Sequence, residues 1–301
     1  MNPTTTSGGV MPPLITEPHT DVVEFLAVNG YFAGDFPDAG ALDDTDPVYQ
    51  RAIIAWQELA GIVPDGVFGP VSSNRASHKR CALPDNNRGF QWDALQSGYV
   101  EWSIESACTR GWSTKSLTCA HNAMSFSTLS AAETDAAWWR SKMNWMAVCG
   151  VTFERVAWNG PRSANFYHDK KSMGGRGGKL AHHYLPNCGS GANTTLEGMF
   201  DTGERWTPSM FEGVCGHEDG HGLGLSHSDD PKDLLYPYYN GRIIKPTAGD
   251  VRRVVSRYGP PKRVTPTDPT EPQTLAERVL RLELSNAVNT AIIEKLLEDR
   301  L

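Results

Sequence analysis

Two kinds of sequence run are missing from this chain of 301 residues: a long apolar run and a dense basic run. Without the first, no segment is suited to cross a bilayer. Without the second, and with a formal net charge of −7, nucleic acid is not expected as a partner. Residues 1–18 also lack the basic start and apolar core of a signal peptide, so the route of export stays open.

Cysteine is scarce, with six residues in the chain. Cys108 and Cys119 flank a short loop that contains Gly and Ser, which predicts a disulfide bond between them. Leaving Cys81 aside, we expect a second bond within the remaining three cysteines, which are Cys149, Cys188 and Cys215. Disulfide bonds would favour an oxidising compartment, whereas free thiols would fit a reducing cytoplasm.

The most specific pattern in the chain reads His-Glu-x-x-His-x-x-Gly-x-x-His and begins at His217. Residues four apart lie on the same face of a helix, so His217 and His221 can bind one metal ion. Gly224 allows a backbone conformation that side chains disfavour, and the resulting turn brings His227 in as third ligand. Three imidazoles with one open position are typical of a catalytic zinc site. The alternative, a helix that is merely polar, does not explain this spacing.

Glu218 lies beside the ligands without being one of them. A zinc ion held in this way lowers the pKa of a bound water, and Glu218 can accept the proton as general base. Together these residues predict hydrolysis of a peptide bond.

The residues after the motif resemble the matrixins, the matrix metalloproteinase branch of the metzincin proteases. Ser228 directly follows the third histidine, and Leu235 stands where the family has a methionine turn beneath the metal. Leucine conserves volume and apolar character, so we expect a filled site there. The resemblance implies an α+β catalytic domain with a twisted, mainly parallel sheet, long helices and the zinc helix under the cleft. It also implies a protein or peptide substrate.

Two further stretches resemble the walls of a matrixin cleft. The residues from Gly177 to His182 are similar to the edge strand that pairs with substrate through its backbone, which assigns substrate binding to Leu180 and Ala181. Pro237-Tyr238-Tyr239 resembles the Pro-x-Tyr wall of the pocket for the residue after the scissile bond, which assigns Pro237 and Tyr239 the same role.

Other metal sites of the family look incomplete. Asp201 and Glu204 resemble its calcium ligands, but Gly174 replaces an acidic partner, so Ca²⁺ is predicted only as an optional second metal. For a structural zinc, His168 and His182 are the candidates; Met199 replaces a histidine and is a poor substitute. Ordinary polar histidines are the alternative.

A small helical domain is predicted at residues 21–78. Helical apolar stripes are followed by Asp-Gly-x-Phe-Gly-Pro, with a helix that starts at Pro70. The pattern resembles peptidoglycan-binding three-helix domains, and matrixin propeptides use the same small fold. The domain could therefore bind cell-wall glycan or keep the enzyme latent.

Residues 79–88 favour latency because they resemble the cysteine switch of matrixin zymogens. Cys81 could fill the fourth position on zinc, since a thiolate is a better ligand than water. Arg80 and Asp85 would pair across the bend. Two positions depart from the family pattern: Lys79 replaces a proline, and Ala82 replaces a glycine and costs energy if that position needs a positive φ. A buried structural cysteine is the alternative.

The predicted organisation is a disordered lead (1–20), the helical prodomain (21–78), the switch (79–88), a catalytic domain (89–259), a Pro/Thr linker (260–272) and a C-terminal helix (273–301). The catalytic domain is expected to begin with a strand at Trp102–Ile104 and to contain a long helix at Glu133–Val148. The C-terminal helix has an apolar stripe through which two copies could associate; the alternative is a helix that folds back on the catalytic domain or frays in water.

The sequence therefore predicts a zinc metalloendopeptidase, made as a latent zymogen and acting outside the cell or at its surface. One alternative is a protease that its N-terminal module targets to peptidoglycan. The other is a zinc-stabilised binding protein without turnover.

Overall fold

The computed structural model describes residues 19–32, 42–85, 111–174, 178–186 and 188–261. The predicted strand at Trp102–Ile104, the thiol of Cys108 and the C-terminal helix lie outside the described residues. Within them, no helix is long and apolar enough to cross a membrane.

The N-terminal segment contains three short helices: α1 (His19–Val28), α2 (Pro47–Ala60) and α3 (Pro70–Ala76). Asp46 caps α2 by accepting the amide of Val48, and Gly61 ends it in the left-handed conformation at φ 70°. Apolar side chains of α1 and α2 form a hydrophobic cluster that includes Trp56, which is fully buried. This cluster is separate from the larger core.

The larger core is built on a five-stranded sheet in the order β3-β2-β4-β7-β5. Neighbouring strands are parallel except at the edge, where β5 runs antiparallel to β7. A separate two-stranded sheet pairs β1 with β6. The strands are β1 (Gly111–Trp112), β2 (Ser116–His121), β3 (Thr152–Arg155), β4 (Phe166–Lys171), β5 (Ala181–His183), β6 (Cys188–Ser190) and β7 (Leu196–Asp201).

Three helices complete this domain: α4 (Ala131–Met146), α5 (Pro208–Gly222) and α6 (Ala248–Tyr258). A capping box between Ser130 and Glu133 starts α4, close to the predicted position. Thr207 caps α5 by accepting the amide of Met210, and Pro208 occupies its first turn. Mostly parallel strands with helices confirm the predicted α+β fold.

Helices α4 and α5 pack on each other through a polar seam within the core. Lys142 of α4 and Asp219 of α5 form a fully buried ion pair at 2.7 Å. Ser141 donates to the same carboxylate at 2.7 Å, and the indole of Trp145 donates to the carbonyl of Gly216 at 2.8 Å. Because these bonds are directional, they fix how α5 is placed on α4.

The predicted disulfide bonds are wrong for every cysteine thiol that the structure describes. Cys119, Cys149 and Cys215 are free and buried. Cys119 lies in strand β2, inside the sheet between β3 and β4, and Cys215 lies in α5, with its sulfur 3.1 Å from the hydroxyl oxygen of Ser141. These thiols behave as small apolar core side chains, and so they give no support to an oxidising compartment.

Candidate active site

Helix α5 contains two of the candidate metal ligands, His217 and His221. Close packing of this helix requires a glycine at Gly220. A Cβ added to Gly220 would lie 2.8 Å from Leu235 and 2.9 Å from Trp145. Leu235 is fully buried, so it fills the place of the family's methionine beneath the helix, as predicted. The poor helix propensity of Gly220 is therefore the cost of bringing the zinc helix close to its support.

The three histidines converge as the motif predicts. The Nε2 atoms of His217 and His221 lie 3.0 Å apart. Gly224 adopts φ 89°, and the turn brings the ring centroid of His227 to 4.7 Å from that of His221. The positive φ expected at Gly224 is thus confirmed.

Backbone carbonyls orient the two helical rings. The Nδ1 of His217 donates a hydrogen bond to the carbonyl of Leu234 at 2.7 Å. The Nδ1 of His221 donates to the carbonyl of Leu225 at the same distance. These bonds require the proton on Nδ1 and leave Nε2 as an acceptor facing its neighbour. Burial lowers the pKa of all three rings, that of His217 to about 4, so they are neutral and able to bind a metal.

The side chains around this point fit a zinc ion. Ligand atoms of Cys81, His217, His221 and His227 lie within 4.8 Å of one another. Two neutral Nε2 acceptors at 3.0 Å repel each other unless a cation lies between them. The Nε2 of His227 has no hydrogen-bond partner among the described residues. Imidazole nitrogens and thiolate sulfurs are both common ligands of zinc, which binds four of them in a tetrahedral arrangement.

Glu218 is buried next to this cluster, with both carboxylate oxygens lacking a hydrogen-bond partner among the described residues. Burial raises the pKa of its carboxyl well above the ordinary value. Such an unpaired carboxyl is a candidate proton acceptor.

The switch segment lies in the cleft and forms backbone hydrogen bonds with the edge strand on one side and with the Pro237–Tyr239 wall on the other. On one side the amide of Leu180 donates to the carbonyl of Arg80 at 2.9 Å, and Ala82 donates to the carbonyl of Ala181 at 2.8 Å. On the other side the amide of Cys81 donates to Pro237 at 2.9 Å. The amide of Tyr239 likewise donates to the carbonyl of Lys79 at 3.0 Å. These walls are the ones predicted to bind substrate, and the segment takes that place.

Ionic and aromatic contacts brace the segment. Arg80 and Asp85 form the predicted ion pair, with both side chains buried. The hydroxyl of Tyr31 donates to Asp85 at 2.8 Å, and Arg80 donates to the hydroxyl of Tyr238 at 3.3 Å. Ala82 does not adopt a positive φ, so alanine is not strained at the family's glycine position.

The sulfur of Cys81 points at the histidines, 3.6 Å from the Nε2 of His221. The amide of Leu83 donates to this sulfur at 3.3 Å. Burial, followed by the nearby charge of Glu218, raises the pKa of the thiol well above its ordinary value. A thiolate therefore needs a neighbouring cation, which a zinc ion between the four side chains would supply.

The residues predicted for a second zinc are not brought together. His168 pairs in register with Gly198, as His183 does, whereas His182 pairs with Met199. Since adjacent residues of a strand point to opposite faces, His168 shares a face with His183 and not with His182. Among the described residues, the cysteine and the three motif histidines are the one cluster suited to a metal.

The residues predicted for calcium lie at the end of β7. Asp201 is buried and accepts the amide of Met173 at 2.7 Å. Glu204 is paired with Lys79 of the switch segment at 3.0 Å. Calcium binding stays a prediction. Of its two expected carboxylate ligands, Glu204 already contacts the ammonium group of Lys79.

Sequence patterns missed the aromatic contacts between the two domains. Tyr236 and Tyr238 of the cleft wall belong to the hydrophobic cluster of the N-terminal helices. Tyr236 donates to the carbonyl of Leu59 at 2.6 Å, and the indole of Trp56 donates to the hydroxyl of Tyr238 at 3.0 Å. The available signal was the pair of tyrosines, Tyr236 and Tyr238, on either side of Pro237.

The comparisons with known proteins agree with this geometry. The matrixin family model matches residues 111–259. The chain is 29% identical to matrix metalloproteinase-16 of Homo sapiens over 280 residues, 85% of this chain and 44% of the relative. It is 28% identical to the hatching enzyme of Paracentrotus lividus over 254 residues, 80% of this chain and 39% of the relative.

A shorter match is to matrilysin of Felis catus, 41% identical over 93 residues, 28% of this chain and 34% of the relative. The chain spans less than half the length of these curated relatives. Residues 111–259, which hold the three histidines of the motif, match the matrixin family model, and the chain is similar to matrix metalloproteinases over most of its length.

Proposed function

We propose that the protein is a zinc-dependent metalloendopeptidase made as a latent zymogen, with Cys81 blocking its active site. One observation carries the proposal: the sulfur of Cys81 and the three motif histidines converge on one point, within 4.8 Å of one another. The comparisons support the protease, because the matrixin model covers the whole histidine motif.

The placement of the switch segment supports latency. Its backbone is bonded to the edge strand at Leu180 and Ala181 and to the wall at Pro237 and Tyr239. A substrate needs the same backbone groups, since an extended peptide binds by completing the sheet edge. Substrate and switch segment therefore compete for one cleft.

Removal of the segment would give each side chain a catalytic role. His217, His221 and His227 would hold a zinc ion, which would act as a Lewis acid towards water and the substrate carbonyl. Glu218 accepts a proton from the attacking water and passes it to the leaving amine. Leu180, Ala181, Pro237 and Tyr239 hold the substrate backbone extended beside it. The pocket between Leu180 and the wall, about 380 Å³ including its open mouth, accepts the residue after the scissile bond.

The test compares the full-length parent with Cys81→Ser and Glu218→Ala, using casein or a quenched peptide and a zinc assay on each protein. We expect a nearly inactive parent that a thiol-alkylating reagent activates. Cys81→Ser should be active without the reagent, and Glu218→Ala should bind zinc but remain inactive. Cys149→Ser, which removes a buried thiol that is not part of the metal cluster, is the matched control.

Two outcomes would count against the proposal. If Cys81→Ser is no more active than the parent, latency through this thiol is wrong. If the zinc-loaded proteins cleave nothing, or if a zinc chelator leaves cleavage unchanged, the protease assignment is wrong.

The two alternatives gain less support. Peptidoglycan targeting needs an N-terminal domain that acts away from the protease, but here Trp56 and Leu59 contact the cleft wall. A binding protein without turnover has no need of the unpaired buried carboxyl at Glu218. Association of two copies through the C-terminal helix lies outside the described residues.

We further propose that the protein acts outside the cell or at its surface. The support is its similarity to matrix metalloproteinase-16 and the hatching enzyme. Fractionation of the producing cells tests it, and recovery of all activity from the cytosol would contradict it.

A further inference from the structure

The third histidine of the motif differs from the other two in what supports its ring. His217 and His221 each donate from Nδ1 to a backbone carbonyl of the catalytic domain, at 2.7 Å in both cases. His227 is buried as well, yet neither of its ring nitrogens has a hydrogen-bond partner among the described residues. Within that part of the chain, the catalytic domain therefore supplies no hydrogen bond that fixes the tautomer of His227.

A charged group of the switch segment faces this ring. The Oδ1 atom of Asp85 lies 3.6 Å from the Nδ1 atom of His227, and both side chains are almost fully buried. This distance is longer than a hydrogen bond, so the carboxylate acts on the ring through its charge. Burial lowers the pKa of the His227 ring, and an interaction with the backbone of Pro84, also in the switch segment, opposes the lowering.

Asp85 is held in this position from two sides. Its Oδ1 atom pairs with the guanidinium of Arg80, and its Oδ2 atom accepts the hydroxyl of Tyr31 at 2.8 Å. The oxygen that pairs with Arg80 is also the one that faces His227. The ion pair therefore braces the switch segment and also keeps a negatively charged oxygen beside the ring.

A histidine that binds zinc benefits from such a neighbour. When Nε2 binds the metal, the proton is on Nδ1, and a carboxylate or carbonyl near that proton orients the ring and increases its basicity. The carbonyls of Leu234 and Leu225 have this position for the first two ligands. For His227, the carboxylate of Asp85 has both the charge and the position.

We propose that Asp85 is a positioning residue for the third zinc ligand, so that the switch segment strengthens zinc binding through His227 as well as through the thiol of Cys81. The inference rests on the proposed function and adds a second way in which this segment acts on the same site. The latent chain is therefore the form that binds zinc most tightly. When the segment leaves the cleft, the metal loses the thiol and His227 loses its charged neighbour.

The experiment measures the zinc affinity of the full-length chain by competition with a chromogenic zinc chelator. The parent is compared with Asp85→Asn, which removes the charge. Arg80→Gln is the matched control, because it breaks the same ion pair but keeps the carboxylate of Asp85. Asp85→Asn is measured again in a Cys81→Ala background, where no thiol contributes to binding. Since no step requires a substrate, the result does not depend on protease activity.

We expect Asp85→Asn to weaken zinc binding by about tenfold or more, as the loss of a partner of a metal-bound histidine does. The loss should persist in the Cys81→Ala background and should exceed the loss in Arg80→Gln. Equal losses in Asp85→Asn and Arg80→Gln would mean that Asp85 only braces the switch segment. A loss that disappears in the Cys81→Ala background would mean that Asp85 acts only through the thiol. Either result overturns the inference.

A second measurement uses the parent alone, so it does not depend on how any variant folds. In zinc-loaded protein with isotope-labelled histidine, nuclear magnetic resonance identifies the metal-bound rings by the nitrogen shift of Nε2. We expect a slowly exchanging Nδ1 proton on all three rings in the latent protein. After alkylation of Cys81 has displaced the switch segment, the proton of His227 should exchange faster while those of His217 and His221 stay protected.

Fast exchange at His227 in the latent protein, or slow exchange that survives displacement of the switch segment, contradicts the role of Asp85. A different result separates this inference from the proposed function. If neither the parent nor any variant binds zinc, the zinc protease assignment fails. If all of them bind zinc with equal affinity, the protease assignment stands and only the role of Asp85 is wrong.

Discussion

At the residue scale, the support under the zinc helix depends on fit. Leu235 occupies the place where the family has methionine, and its methyl groups contact the helix at Gly220. Its carbonyl also accepts the amide of Ser228 at 2.9 Å, which ties the support to the residue after the third ligand. The position beneath the helix therefore requires a buried apolar side chain of this volume. Its packing does not require a sulfur atom.

We predict that Leu235→Met keeps the fold and the activity, because the two side chains have similar volume, at a cost below about 1.5 kcal/mol in the free energy of unfolding. Leu235→Ala should cost about 2–5 kcal/mol through the cavity it leaves. Urea denaturation followed by tryptophan fluorescence measures both changes. Equal losses in the two variants would show that volume is not what this position needs.

At the element scale, the placement of α5 depends on the polar seam with α4. Lys142 and Asp219 are both fully buried, and Asp219 directly follows Glu218, the proposed general base. A buried pair adds little net stability, but either partner alone is an uncompensated charge. The seam therefore sets how the zinc helix is positioned more than it sets the overall stability.

We predict that Lys142→Met lowers the free energy of unfolding by about 3–5 kcal/mol, since it leaves Asp219 buried without its cation. The double variant Lys142→Met/Asp219→Leu should recover much of this loss. Arg155→Met is the matched control, because Arg155 and its partner Asp135 have side chains that are 44% and 36% exposed, and it should cost at most about 1 kcal/mol. Chemical denaturation of the parent and the three variants measures these free energies of unfolding. A double variant that is no more stable than Lys142→Met would contradict this account.

At the scale of the whole molecule, the N-terminal helices and the catalytic domain share one interface. Arg75 lies over the ring of Tyr238, with its guanidinium carbon 4.0 Å from the centroid, and Tyr31 reaches Asp85 in the switch. The N-terminal helices therefore contact the proposed switch segment and the cleft wall at points beyond the histidine cluster.

We predict that Tyr31→Phe loosens this state, because it removes the hydrogen bond to the buried carboxylate of Asp85 at a cost of about 1–3 kcal/mol. Alkylation of Cys81 and the activation that follows it should become faster. Tyr49→Phe, a buried tyrosine of the same domain, is the control. Labelling of Cys81 followed by mass spectrometry measures the rate; equal rates in the two variants would exclude a role for the Tyr31 hydroxyl.

The sequence by itself predicted which side chains converge on the candidate metal site, because their chemistry depends on residue type and on short, regular spacing. His217, His221 and Gly224 could be placed from helix geometry alone, and the turn at Gly224 has the expected positive φ. The α+β class also followed from the family pattern.

Only the tertiary structure decided which distant residues meet. It brought Tyr31 to Asp85, Lys79 to Glu204 and Tyr238 to Trp56, and it left Cys119 as a free thiol where a disulfide was expected. The physical reason is that such contacts depend on how helices and strands pack, and sequence spacing carries no information about distances between elements. The proposed catalytic chemistry therefore depends on residues close together in the sequence, whereas the proposed latency depends on contacts that only the folded chain makes.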